Sequence, residues 1–159
     1  MRQIIRRHEI VADDAHYADE AGSPETQPGR LVPTLVQWLA DIAAGKTGGN
    51  AVLIGPEADV QQVAAHLSQL TLIVVDFPKI GEGRGFSQAR LLRQRYHYQG
   101  ELRARGVLKR DQLFFLARCG FDSFQLDPNE DLRAAVAALG TYSVAYQGGI
   151  DQLVQVERR

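Results

Sequence analysis

Two short apolar runs in the middle of this chain constrain its fold more than any other feature. The first extends from Ala51 to Ile54, and the second, from Thr71 to Phe77, is β-branched and apolar on both faces. Strands of this kind lie in the middle of parallel sheets that are covered by helices. The two runs therefore predict adjacent central strands of such a sheet.

The rest of the chain after residue 55 alternates between helical and extended patterns. Apolar spacing predicts helices over about 57–70, 87–98, 111–119 and 131–139, and strands over about 101–105, 121–126 and 141–147. Gly120 and Gly140 are predicted to end the last two helices. Strands that alternate with helices of this length are typical of βα units.

The predicted fold class is therefore α/β, with a mostly parallel sheet of four or five strands built from βα units. Four such units are too few to close an eight-stranded barrel. We favour an open sheet. The alternative is a half-barrel that completes itself by forming a homodimer.

The chain is predicted to fold as one domain with an N-terminal extension. Residues 1–30 are interpreted as a hairpin over 2–12 followed by an acidic, then Gly-, Ser- and Pro-rich loop over 13–30. Residues 31–150 form the α/β domain, and 151–159 form a polar tail. Its first helix has Thr34 in the cap region and Trp38 on its apolar face.

Composition excludes several classes of protein. No apolar run approaches the roughly 20 residues of a membrane span, and the N-terminus lacks the pattern of a secretory signal. Cys119 is the only cysteine, which rules out an internal disulfide and fits a reducing compartment. We therefore expect a cytoplasmic location. A net charge of −1 argues against nucleic-acid binding by the protein as a whole.

Positive charge is concentrated in one quarter of the chain. Between Lys79 and Arg118 there are eight arginines and two lysines against three acidic residues, a net charge of +7, whereas the remaining residues carry a net −8. Such a segment is typical of an anion site or of a surface that meets an acidic partner.

A glycine-spaced turn opens this basic block, after the strand that ends at Phe77. The carboxyl ends of parallel strands are where open α/β sheets bind ligands. We predict that Ser87 caps the following helix and that its free N–H groups help to hold an anion. The predicted contacts are Arg84, Gly85, Ser87 and Arg90. The alternative is a tight turn with ordinary surface ion pairs.

Arg103 and Arg105 lie two residues apart, so they share one face of the predicted third strand. Two arginines on a buried strand are costly unless they are paired or face a ligand. Glu101, Asp76 and Asp111 are the expected partners of these arginines. We include both arginines in the predicted anion site and expect Asp76 and Asp111 to orient them. A structural network of ion pairs is the alternative, and it is slightly favoured.

Other constellations are weak. The four histidines do not show the spacing of metal ligands, so no metal site is predicted. Cys119 is interpreted as a buried, unreactive thiol. The turn at Gly83 matches neither nucleotide-binding glycine motif, and Ser87 lacks the surroundings of a hydrolase nucleophile. The catalytic residues and the cofactor, if the protein has them, are therefore unknown.

Several motifs resemble a bacterial family, the domain-of-unknown-function family 934. The resemblance covers nearly the whole chain and is most specific over 77–124. It is carried by Phe77-Pro78-Lys79, Gly83-Arg84-Gly85-Phe86-Ser87-Gln88-Ala89-Arg90, Gly100-Glu101-Leu102-Arg103-Ala104, Asp111-Gln112-Leu113-Phe114-Phe115-Leu116 and Cys119-Gly120-Phe121-Asp122. The chain departs from the family at Glu82, where aspartate is usual, and at Val107, where a carboxylate is usual.

The resemblance implies a role beside assimilatory sulfite reductase, because members are often labelled as probable oxidoreductases of sulfite reduction. We therefore expect an accessory protein of sulfate and sulfite reduction that binds a small oxyanion or an anionic cofactor at its arginine-rich turn. The alternative is a non-catalytic module that docks on sulfite reductase or another acidic partner. A redox enzyme with a borrowed cofactor is a third hypothesis, and whether the protein is an enzyme stays open.

Overall fold

The computed structural model describes residues 2–20 and 28–145, which form eight strands in two sheets. The strands are β1 (Gln3–Arg6), β2 (Glu9–Ala12), β3 (Ala15–Tyr17), β4 (Arg30–Val32), β5 (Ala51–Ile54), β6 (Leu72–Phe77), β7 (Glu101–Gly106) and β8 (Ser123–Gln125). The helices are α1 (Leu35–Ala43), α2 (Gln61–Ala64), α3 (Arg84–Arg90), α4 (Leu113–Cys119) and α5 (Leu132–Ala145). None of the helices described is long and apolar enough to cross a membrane.

The larger sheet has the strand order β2-β1-β8-β7-β6-β5. Strands β5 to β8 are parallel, and each pairs with the next strand along the chain. The hairpin of β1 and β2 joins them through an antiparallel pairing of β1 with β8. The α/β class and the mostly parallel sheet are confirmed. The sheet has six strands rather than four or five, because the hairpin extends it.

Helices cover one face of this sheet and bury the main apolar core. Side chains alternate between the two faces of a strand, and Val52, Ile73 and Leu102 are among those that point into this core. Trp38 of α1 is completely buried there, as the apolar face of its helix predicts.

The other face of the sheet is covered by β3 and β4, which pair with each other in parallel. Tyr17 and Val32 pack there on Leu53 and Val74. Thr34, just after β4, bridges Leu53 of β5, so the small sheet stays attached to the edge of the large one. A half-barrel would leave this face open to a second chain. Here the protein covers this face with its own strands. The homodimer stays a prediction, but an open face of the sheet is no longer a reason to expect it.

Local signals at two helix ends are confirmed. The side chain of Thr34 accepts a hydrogen bond from the backbone N–H of Gln37, and the Gln37 side chain accepts one from the backbone of Thr34, which is a capping box. Gly120 ends α4 with φ +113, a conformation that favours glycine.

The predicted loop over 13–30 contains strand β3, and β4 begins at its last residue. β3 and β4 are each three residues long, too short for an alternating pattern to identify them in the sequence. Residues 21–27 lie outside the described part. β3 is held in place by its pairing with β4, and local propensity does not reveal such a contact.

The last helix was predicted to end at Gly140, but α5 continues through Gly140 to Ala145. The predicted strand over 141–147 is therefore wrong as far as residue 145, and its last two residues and the tail lie outside the described part. A glycine within a helix costs about 1 kcal/mol relative to alanine. Ala135 and Leu139, which are buried in the core, stabilise the helix enough to offset that cost.

Two other predicted helices differ from the structure. The one over 57–70 is divided into α2 and a short 3-10 turn, Leu67–Gln69. The one over 87–98 begins earlier, as α3, and passes into a π-helical turn, Leu91–Arg95. That turn carries the buried Arg93, which donates hydrogen bonds to the carbonyl oxygens of Tyr98, Gly100 and Gly120. Arg93 thus holds together the segments that lead into β7 and β8.

Candidate functional site

The arginine of the glycine-spaced turn is bound by a carboxylate of its own loop. Arg84 donates from Nε and Nη2 to the two carboxylate oxygens of Glu82, at 2.9 and 3.1 Å. Together with the bond from the Arg84 backbone N–H, these contacts lower the pKa of Glu82 to about 2. An anion that approached this turn would meet an arginine whose charge is already compensated.

The predicted cap at Ser87 is wrong. α3 begins at Arg84, after Gly83, so Ser87 lies inside the helix, where it is exposed to solvent. The carboxylate of Glu82 accepts the hydrogen bond of the first helical N–H instead. Gly85 serves packing, since a Cβ there would lie 2.5 Å from the ring of Phe77.

Two more of the predicted residues lie apart from this turn. The Arg90 guanidinium lies over the ring of Phe115, with 5.6 Å between its Cζ atom and the ring centroid. Asp111 is exposed in the 3-10 turn before α4. In the described part of the chain it pairs with none of the arginines that it was expected to orient.

Arg103 is completely buried between the two sheets, and carboxylates surround it. Its Nη1 donates to Asp13 Oδ1 at 2.9 Å and to the Tyr17 hydroxyl at 3.1 Å. Its Nη2 donates to Glu101 Oε1 at 2.9 Å. The Ser123 hydroxyl donates to the same Glu101 oxygen at 2.7 Å. Arg103 therefore belongs to an interior ion-pair network.

The pKa values in this network follow from burial and pairing. Burial raises the pKa of Glu101, but Arg103 and the Ser123 hydroxyl outweigh it and hold that pKa below its ordinary value. Burial lowers the pKa of Arg103, yet the surrounding acidic groups leave it raised. Burial also raises the pKa of Tyr17. At neutral pH the Arg103 guanidinium is therefore charged, the Glu101 carboxyl group is ionised and the Tyr17 phenol is neutral.

Arg105 lies on the same face of β7, nearer to the carboxyl end of the sheet. Its Nη1 and Nη2 donate to the two oxygens of Asp19, at 3.0 and 2.7 Å, and its Nε donates to Asp76 at 3.2 Å. Its guanidinium also stacks 4.4 Å from the centroid of the Tyr17 ring. The predicted shared face of the two arginines agrees with this geometry. Asp76 contacts Arg105, and its role in orienting an arginine toward an anion stays a prediction.

A cleft of about 700 Å³ lies beside Arg105, at the carboxyl ends of β6, β7 and β8. Its charged lining consists of two arginines and four acidic residues: Arg2, Arg105, Glu20, Asp76, Asp127 and Glu130. The apolar part of its wall is formed by Phe77, Leu126 and Leu132. Of the predicted anion contacts in the described part of the chain, Arg105 alone lines this cleft.

Two further groups in the cleft bear on what it can hold. Arg2 donates to Glu20 at 2.9 Å, and both side chains are more than a third exposed. Oε1 of Gln125 is buried without a hydrogen-bond partner among the described residues. Such an acceptor calls for a donor from a ligand or from solvent.

Sequence reasoning missed Asp13, Tyr17, Asp19 and Arg2, because all four belong to the segment interpreted as a hairpin and loop. One signal was present in the sequence. Residues 13–20 are acidic, whereas 79–118 carry a net +7, so charge complementarity between the two segments was open to inference.

Comparison with known proteins identifies a family. The model of a bacterial protein family of unknown function, DUF934, matches residues 51–156, about two thirds of the chain. The matched part includes Arg84, Arg103 and Arg105 but not the segment that supplies Asp13 and Asp19. No curated protein matches the chain.

The interior role of Arg103 leads to a prediction about stability. Replacing Arg103 with methionine keeps much of its volume but leaves Asp13 and Glu101 without their buried counter-charge. Loss of one partner of a buried ion pair costs about 3–5 kcal/mol. We expect R103M to lower the free energy of unfolding by that amount, as measured by urea denaturation followed by circular dichroism.

The matched control is R95M, because Arg95 is exposed and is expected to change stability by no more than about 0.5 kcal/mol. The double variant D13N/R103M should recover part of the loss, since it removes one uncompensated charge as well. An R103M variant as stable as the parent would show that the network does not hold the sheets together.

Proposed function

The chain belongs to the bacterial DUF934 family of unknown function, and we propose that it is an accessory protein that binds a small oxyanion in the cleft at the carboxyl ends of its strands. One observation carries the proposal. The guanidinium fork of Arg105 is held by Asp19 in the bidentate geometry that an oxyanion also adopts on arginine.

Asp19 is suited to be displaced. Its side chain is 36% exposed, so its carboxylate exchanges the arginine for water at little cost. Asp76 is more buried and bonds to Nε, so it keeps Arg105 aimed at the cleft when Asp19 leaves. The incoming oxyanion then takes the two Nη groups.

A second exposed pair supports the same exchange. Glu20, the neighbour of Asp19, pairs with Arg2 on the cleft wall. Two adjacent carboxylates thus compete for the two arginines that line the cleft. Because the lining carries four acidic residues against two arginines, we expect weak binding of small anions.

We propose sulfate and sulfite reduction as the setting, on the strength of the family resemblance. Sulfite, sulfate and phosphate are therefore the first anions to test. The described lining contains carboxylates and arginines but no serine, cysteine, histidine or lysine. The proposed function is binding, and no catalytic step is assigned to these residues.

Titration calorimetry of the variants tests the site. We expect R105Q to abolish binding of sulfite and sulfate, because it removes the fork. D19N should tighten binding up to about fivefold, since an exposed ion pair is worth up to about 1 kcal/mol.

R84Q is the matched control, because Arg84 is also bound in bidentate fashion by a carboxylate but lies outside the cleft. It should bind like the parent protein. Undiminished binding by a folded R105Q variant, or loss of binding in R84Q, would contradict the proposed site. The proposed site would also be contradicted if neither the parent protein nor the D19N variant bound any of the three anions.

The same site predicts a pH dependence. Burial raises the pKa of Asp76, although the charge of Arg105 opposes that shift. Hydrogen bonds from Arg105 lower the pKa of Asp19. As the pH falls from 7, Asp76 therefore takes up a proton before Asp19 does and loses its negative charge beside Arg105. We expect sulfate, which stays a dianion over this range, to bind more tightly.

The measurement is sulfate affinity by calorimetry between pH 7 and 4.5, over the range in which the fold persists by circular dichroism. D76N should bind sulfate more tightly at pH 7 and show a flatter profile. A parent protein with no pH dependence, or a D76N variant with an unchanged profile, would contradict the assignment to Asp76.

A further inference from the structure

Two large apolar side chains are exposed on neighbouring helical segments of the basic block. Leu91 is 41% exposed at the end of α3, and Phe115 is 44% exposed on α4. The Phe115 ring packs against Phe86 with 5.0 Å between the ring centroids, so it is held in place while one side faces solvent. Exposed apolar side chains can form the centre of a contact when polar groups surround them.

Arginines flank this apolar surface. Arg90 covers part of the Phe115 ring, and Arg95 lies over Tyr96 with 5.7 Å between its Cζ atom and the ring centroid. Arg118 lies on α4 three residues after Phe115, on a neighbouring part of the helix surface. We call the surface of Arg90, Leu91, Arg95 and Phe115 the α3–α4 face.

Arg90 and Arg95 differ in their surroundings from three other arginines of the basic block. In the described residues, no carboxylate lies within 4.0 Å of Arg90 or Arg95. Arg84, Arg103 and Arg105 each pair with at least one carboxylate. Arg84, Arg103 and Arg105 are thus neutralised by the protein's own carboxylates, whereas Arg90 and Arg95 have no carboxylate partner in the part of the chain that the structure describes.

We propose that the α3–α4 face docks on an acidic surface of a protein partner that has an apolar centre. Phe115 and Leu91 supply the buried centre of the contact, while Arg90 and Arg95 meet carboxylates around it. Aromatic residues and arginine are the residue types that dominate binding energy at such contacts. A nucleic-acid backbone would use the arginines but would gain little from Leu91, so we favour a protein.

Nuclear magnetic resonance of the ¹⁵N-labelled protein tests this proposal with three probes. The first is a peptide that alternates glutamate with leucine and phenylalanine, the second is poly-glutamate, and the third is a short DNA duplex. We expect the first probe to shift amide resonances of α3 and α4 and to bind at least about fivefold more tightly than the others. Raising the salt concentration should weaken it, because exposed charges are screened.

Variants locate the contact. The double variant R90Q/R95Q should weaken peptide binding by about tenfold or more, and F115S should do the same. V36S is the matched control, because Val36 is a 78% exposed apolar residue on α1, and it should leave binding unchanged. R105Q, which removes the proposed oxyanion site, should also leave peptide binding unchanged, so the two proposals fail independently.

Three outcomes would overturn the proposal. One is a folded R90Q/R95Q variant that binds the peptide as the parent does. Another is tighter binding of DNA, which would make the face a nucleic-acid site. The third is self-association through Phe115, seen in sedimentation of the parent but not of F115S, which would assign the face to a second copy of the chain.

Discussion

The buried guanidinium of Arg103 is the interaction on which the rest of the structure depends. It lies between the two sheets with no exposed side-chain surface, and Asp13, whose side chain is equally buried, is its partner from the far side. A charge in such a place is tolerated only when it is paired and hydrogen-bonded. The network therefore ties the segment of β3 to β7, and that attachment brings Tyr17 and Asp19 over Arg105.

The arginines of the basic block lie in three kinds of environment. Arg93 and Arg103 lie in the interior, where they join segments of the fold through carbonyl and carboxylate oxygens. Arg105 lies at the cleft, where an exposed carboxylate from the acidic N-terminal segment holds its fork. Arg90 and Arg95 lie on the helical surface beside aromatic rings. One positive stretch of sequence thus serves stability, a candidate ligand site and a candidate contact surface.

Much of the fold could be predicted from local patterns, and so could Glu101 and Asp76 as partners of the arginines on β7, whereas the partners from the N-terminal segment could not. The apolar runs predict β5 and β6, and Thr34 and Gly120 mark helix ends, because those signals depend on neighbouring residues. Arg103 and Arg105 were correctly placed on one face by their spacing. Their partners Asp13 and Asp19 lie 90 and 86 residues away in the chain, and no periodicity encodes such a contact. The error at Ser87 has a local cause, since Glu82 takes the role that a capping serine would have had.

The central claim is that Arg103 is structural, whereas Arg105, two residues later, is the arginine that meets a ligand. Observation of the arginine side-chain Nε–H resonances during a titration with sulfate tests it most directly. The account predicts that the Arg105 resonance shifts in step with binding and that those of Arg103 and Arg84 stay in place. A shift of Arg103 or Arg84 with Arg105 unmoved would contradict it.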